Sequence, residues 1–189
     1  MTAMLIAQNT FREAIRDRVL AGVVSGGLVL MGLTQLAKPL AMGEGLRLTV
    51  DLGLSSISML GLLVVLMVGT SLVAKEIERR TIFNLLSRPL PRPVYLVGKW
   101  LGLSGALWAV SGVLGLALWG VLALMGHAAY GGSLAEAVYL AGLELSVVTS
   151  LAVMFSALST PVLSSLYTLG FFLAGQWSDD LRVFLCSLN

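Results

Sequence analysis

Long apolar runs, separated by short polar stretches, set the rhythm of this chain. A helix that crosses a hydrocarbon core of about 30 Å needs roughly 20 mostly apolar residues. Helices suit that task because each one satisfies its own backbone hydrogen bonds. Five stretches are predicted to span: Val19–Ala37, Leu52–Ala74, Leu101–Gly126, Ala137–Leu158 and the shorter Pro161–Trp177. The third carries no charge, and the fourth is interrupted only by Glu144. The Ser159-Thr160 link is so short that the fourth and fifth spans are predicted to form a tight helical hairpin.

Two segments outside the spans have helical periodicity of another kind. In Met4–Arg18, Met4, Phe11 and Ile15, with Ala7 and Ala14, share one face, while Gln8, Arg12, Glu13, Arg16 and Asp17 share the other. That pattern predicts an amphipathic helix lying along the membrane surface; a plain basic flank that sets topology is the compatible, simpler reading. The connection 75–99, KEIERRTIFNLLSRPLPRPVYLVGK, opens with Glu76, Glu78, Arg79 and Arg80 and continues with Ile82, Phe83, Leu85 and Leu86 at helical spacing. Pro89, Pro91 and Pro93 then stop the helix, since proline lacks the N–H and clashes with the preceding turn. The expectation is a short amphipathic helix followed by a stiff extended elbow that includes Arg92. A simple link between spans needs about 2–8 residues, so a connection of this length points to a docking surface.

Composition supports the membrane reading. Apolar residues make up 57% of the 189-residue chain and charged residues 12%, about half the charge of an ordinary soluble domain. Such a chain has too little polar surface to cover itself in water. Basic residues then orient it. Arg12, Arg16 and Arg18 precede the first span, and Lys75, Arg79, Arg80, Arg88, Arg92 and Lys99 lie between the second and third; only Lys38, Arg47 and Arg182 fall on the other side. The amino terminus and the 75–99 connection are therefore predicted to be cytoplasmic, and the loops Lys38–Asp51 and His127–Ser133 to face outward. An odd number of spans puts the carboxyl terminus outside. The first apolar run follows arginines and lacks a small-residue cleavage site, so it reads as an uncleaved span. The net charge of +2 and the absence of any basic run argue against nucleic acid as a partner. One cysteine, Cys186, excludes an internal disulfide and a cysteine metal cluster.

Candidate chemistry is sparse. Gly98-Lys99 is followed by Trp100, and Pro93 stands where a phosphate-binding loop needs its first glycine, so no such loop forms. His127, the one histidine, cannot build a metal site alone and reads as an interfacial side chain. The serines have no base at motif spacing. Neither a metal nor a cofactor is expected. Glu144 is a candidate intramembrane polar site, because a carboxylate within a span is costly. It either lines a substrate route or accepts a proton there, or it is a protonated or hydrogen-bonded helix-contact residue. The glycines of the first span (Gly22, Gly26, Gly27) and third span (Gly102, Gly105, Gly112, Gly115, Gly120) permit close helix approach. They read as ordinary packing or as a dimer seam. Neither half of the chain repeats the other.

At this point the chain resembles a known family. It has a surface helix with Asn9-Thr10-Phe11-Arg12-Glu13 and Arg16-Asp17, then a span, an outer loop and a second span. A Glu-rich segment follows with Thr81, Leu85-Leu86-Ser87, Pro89, Arg92 and Gly98-Lys99. The order is similar to the permease subunit of type-2 ABC transporters, over nearly the whole chain, and Ser87-x-Pro89-x-x-Arg92 ending at Gly98-Lys99 is its most specific part. The resemblance implies six spans per subunit, working as a pair, and a cytoplasmic coupling helix that docks on a separate ATPase subunit. Carried onto this sequence, the coupling helix is about Glu76–Leu86, and the amino-terminal helix corresponds to the family's connecting helix. With five spans here, the family's last span is expected to be missing.

Together these readings predict an all-α, polytopic transmembrane bundle forming a single permease domain over 1–189, with a surface helix at 1–18 and a coupling segment at 75–99. The expected function is the non-enzymatic permease subunit of an ATP-driven exporter in the plasma membrane, the bacterial inner membrane. Its expected partners are a cytoplasmic ABC ATPase, a second permease subunit and membrane lipid. The alternatives are a non-transporting scaffold that binds an ATPase and, less in keeping with the lack of a second catalytic group, an intramembrane enzyme using Glu144.

Overall fold

The computed structural model describes residues 2–37, 45–69 and 92–187. Among them the chain is helical and no strand occurs. We name the helices α1 (Thr2–Arg16), α2 (Arg18–Ala37), α3 (Gly45–Val64, continued by a π-helical turn, Val65–Gly69), α4 (Arg92–Leu124), α5 (Gly131–Leu158) and α6 (Pro161–Ser187). From α2 onward each has at least 20 residues, enough at about 1.5 Å per residue to cross a bilayer core of about 30 Å. Three are unambiguous in both length and apolarity within the described residues: Gly45–Gly69, Val94–Leu124 and Gly131–Leu158.

Packing within lipid leaves apolar side chains on both sides of each helix. The core runs through Ile57, Val64 and Val68 of α3, Leu103, Leu107, Leu114 and Leu118 of α4, and Leu145 of α5, all essentially buried. Outside it, Met59, Leu124, Leu158 and Val162 are exposed; hydrocarbon is the solvent that makes such a surface favourable. Small residues bring the helices together. Gly53 receives Leu118, Gly61 receives Leu145, and Gly115 faces Val138, with no room for a side chain at any of the three.

Helices occur at each predicted span as far as the described residues reach, residues 70–74 of the second lying outside them, and three start earlier than their apolar runs. α3 begins at Gly45 rather than after Asp51, so Gly45–Asp51 is helix and not outer loop. Arg47 and Asp51 sit one turn apart on its exposed face, with Nε and Oδ2 separated by 3.9 Å; charges that remain in water do not break a helix. α4 begins at Arg92, so the extended elbow does not include Arg92 and Pro93. A proline in the first turn sacrifices no intrahelical hydrogen bond. α5 begins at Gly131, within the expected loop His127–Ser133, which is reduced to a 3-10 turn at Ala128–Tyr130.

Helix ends follow local rules. α4 closes on Gly126 with φ +81°, and the His127 N–H donates to Leu122 O at 3.0 Å while the Gly126 N–H donates to Ala123 O at 3.0 Å. This paired arrangement needs a left-handed residue, which glycine supplies without strain. The α5–α6 hairpin turns at Ser159-Thr160 as predicted, with Pro161 as the first residue of α6. Ser164 Oγ reaches back to Ala152 O at 3.3 Å, and Phe155 stacks on Phe171 with ring centroids 5.7 Å apart.

α1 is the amphipathic helix expected from its periodicity, and it lies against α4. Thr10 and Ala14 are buried there, with Ala7 and Phe11 partly so. Met4 and Ile15, on the same apolar face, are exposed. The apolar face is thus shared between a protein contact and the surroundings.

Candidate intramembrane site

Glu144 is the fourteenth of the 28 residues of α5 (131 to 144), about 20 Å from its start at 1.5 Å per residue. Because α5 starts earlier than expected, Glu144 is farther from the helix start than its distance from Glu136 suggested. It is partly buried. Two neutral donors hold its carboxylate: Ser58 Oγ of α3 donates to Oε2 at 3.3 Å, and Gln176 Nε2 of α6 donates to Oε1 at 2.9 Å. Ser58 and Gln176 are also near mid-length, fourteenth of the 25 residues Gly45–Gly69 (45 to 58) and sixteenth of 27 in α6 (161 to 176). Three helices therefore contribute one polar side chain each to one level of the bundle.

These groups line a cleft of about 680 Å³ between α3, α5 and α6. Leu54, Met59, Leu140, Ala141 and Phe172 form its apolar walls. The arrangement anchors the carboxylate without covering it, and leaves space beside it for a ligand or water. Sequence reasoning singled out Glu144 but missed Ser58 and Gln176. A serine amid apolar residues is a common sight in spans; the amide at 176, beside the expected end of the fifth span, was the one available signal.

The next turn of α5 is gripped from α4. Trp108 Nε1 donates to Ser146 Oγ at 3.0 Å, and Trp100 Nε1 donates to Ser146 O at 3.1 Å. Ser146 Oγ in turn donates to Gly142 O at 2.8 Å. The Trp108 ring occupies the space a side chain at Gly142 would need and lies 5.3 Å, centroid to centroid, from Tyr139. Most other buried hydroxyls bond within their own helix: Thr49 to Gly45 O, Ser111 to Trp108 O, Thr149 to Leu145 O. This is the usual way a hydroxyl is satisfied in a span.

Of the residues expected to dock a partner, Glu76, Glu78, Arg79, Arg80, Ile82, Phe83, Leu85, Leu86, Pro89 and Pro91 lie outside the described residues. What frames them is described: the π-turn Val65–Gly69, with Gly69 against Leu103, and the start of α4. Lys99 is buried within α4, its Nζ 5.1 Å from the centroid of the Tyr95 ring. At the opposite end of α4, His127 Nδ1 is 3.0 Å from Met125 O. The glycines divide in a way the sequence did not reveal. Gly27, Gly102 and Gly115 are filled by neighbours, while Gly22, Gly26, Gly112 and Gly120 face open space.

Apolar helices long enough to cross a bilayer, with apolar side chains on the outside of the bundle, define a multi-pass integral membrane protein. The ABC-2 family transporter protein model matches residues 4–177, and the chain belongs to that family. No curated protein matches it closely enough to count as a relative. The family supports a multi-pass membrane permease of an ABC transporter, a family that generally works with a cytoplasmic ATPase.

Proposed function

We propose that this chain is the permease subunit of an ATP-driven exporter, with ATP hydrolysed by a separate cytoplasmic subunit and the substrate route formed with a second permease subunit. The observation that carries the reading is the carboxylate of Glu144, held open to a cleft at the middle of three helices in a chain that belongs to a transporter family. An intramembrane acid is expensive and belongs to substrate or proton pathways by default.

The packing suggests how work reaches that site. The 70–91 connection joins the π-turn after α3 to the first turn of α4. A push on it from an ATPase moves α4 together with α1, which is seated on it. α4 holds α5 through Trp100 and Trp108, both on Ser146, two residues from Glu144. In this reading the amino terminus and the 70–91 connection face the cytoplasm of a bacterial inner membrane, and Glu76–Leu86 is the coupling helix.

Copurification with the cognate ATPase, together with ATP-dependent flux in vesicles, tests the proposal. The double variant Glu78→Ala with Arg80→Ala weakens both. Unchanged assembly and unchanged flux would refute the docking role.

A further inference from the structure

We propose that the Glu144 cleft binds a lipophilic cation: an amphiphile whose protonated amine or quaternary head pairs with the carboxylate and whose apolar body lies between α3, α5 and α6. The inference rests on the reading of Glu144 as part of the substrate route and names what that route accepts.

Charge is the first argument. Among the described residues that line the cleft, Glu144 is the one ionisable group, and the other polar groups, Ser55, Ser58 and Gln176, are neutral. Ser58 and Gln176 donate to the carboxylate and fix its orientation, but they bring no positive charge to cancel it. An anion meets like charge in a medium of low dielectric, where repulsion is strong. A cation gains the same interaction with opposite sign. A neutral lipid could offer the carboxylate only a hydrogen bond of the kind that Ser58 and Gln176 already supply, and would leave its charge unpaired.

Shape and wall chemistry are the second argument. About 680 Å³ lies within the range that accommodates drug-sized ligands. Phe172 offers an aromatic face, which attracts cations, and Met59 offers a polarizable, adaptable wall. Met59 and Leu140 stand exposed at the cleft. A guest entering between the helices through such an apolar mouth must be soluble in hydrocarbon, which an apolar body around or beside the charge provides.

Two ions of nearly equal size and opposite charge make a direct test. The full-length chain, with its ATPase where assembly requires it, is placed in lipid nanodiscs, and binding of radiolabelled tetraphenylphosphonium is measured by equilibrium dialysis. Saturable binding is expected, displaced by unlabelled phosphonium and not by tetraphenylborate. Glu144→Gln should weaken it at least tenfold. Leu140→Trp, which fills the mouth and leaves the carboxylate intact, should also weaken it. Equal binding by the wild type and Glu144→Gln, or equal displacement by the borate, would overturn the proposal. ATP-driven flux of the complex is read separately. Flux lost in Glu144→Gln with phosphonium binding unchanged would overturn the ligand class and leave the permease reading standing.

Discussion

The Gln176 side-chain amide donates to Oε1 of Glu144 at 2.9 Å, joining the last helix of the chain to the one before it at the depth of the cleft. Ser58 approaches the other oxygen from α3. Interhelical hydrogen bonds within membranes contribute about 0.6 kcal/mol on average and about 1.7 kcal/mol at most. Ser58→Ala and Gln176→Leu should each lower stability by an amount in that range. In combination with Glu144→Gln their effects should be less than additive, because all three act through one carboxylate. Unfolding of single and double variants in mixed micelles measures this; strict additivity would mean that the three side chains act independently.

The Ala7 carbonyl oxygen lies 2.5 Å from where the first side-chain carbon of any other residue at 102 would stand, and Thr10 Cβ lies 2.7 Å from it. Because the nearest atom is backbone, α1 as a whole must move to admit Gly102→Ala. A cost of about 1–3 kcal/mol is expected from overpacking, with faster labelling of a cysteine placed at Thr10, which is now buried. Gly112→Ala, at an open position of the same helix, is the control and should change neither. If both substitutions behave alike, α1 is not seated on Gly102.

Ser146 accepts from the Trp108 indole and presents its own carbonyl to Trp100. Ser146→Ala removes the first bond and spares the second. The loss should be about 0.6 kcal/mol, with a change in tryptophan fluorescence that is absent in a Trp108→Phe background. Fluorescence that responds to Ser146→Ala equally in both backgrounds would contradict this pairing. If α4 transmits motion to α5 through these indoles, Trp108→Phe should also reduce ATP-driven flux more than it reduces stability.

Orientation can be tested with the chain's single cysteine removed. In a Cys186→Ser background, Thr81→Cys should react with an impermeant maleimide only in inside-out vesicles, and Gly132→Cys only in right-side-out ones. Labelling of Thr81→Cys from outside would reverse the topology and end the docking proposal.

Element positions were largely legible in the sequence, because a run of apolar residues long enough to span leaves a helix no alternative in lipid. The hairpin at Ser159-Thr160, the amphipathic α1 and the lone carboxylate were all readable from spacing. The starts of α3, α4 and α5 were not. Hydropathy marks where a helix meets hydrocarbon, whereas the helix itself continues through Arg47 and Asp51, through Pro93 and through Gly131 until hydrogen bonding or a turn ends it. Of the candidate site, Glu144 was legible and its two donors were not.

The sequence by itself determined that this chain forms membrane-crossing helices, since its composition leaves too little polar surface to cover them in water, and which carboxylate lies within a span. Only the tertiary structure decided that Ser58 and Gln176 meet Glu144, that Gly102 serves α1 while Gly112 faces outward, and that two indoles converge on Ser146. The physical reason is that every face of an apolar helix is acceptable to lipid. Hydropathy sets how deep a residue sits, while the direction in which it points is chosen by the fit of small and large side chains between neighbouring helices.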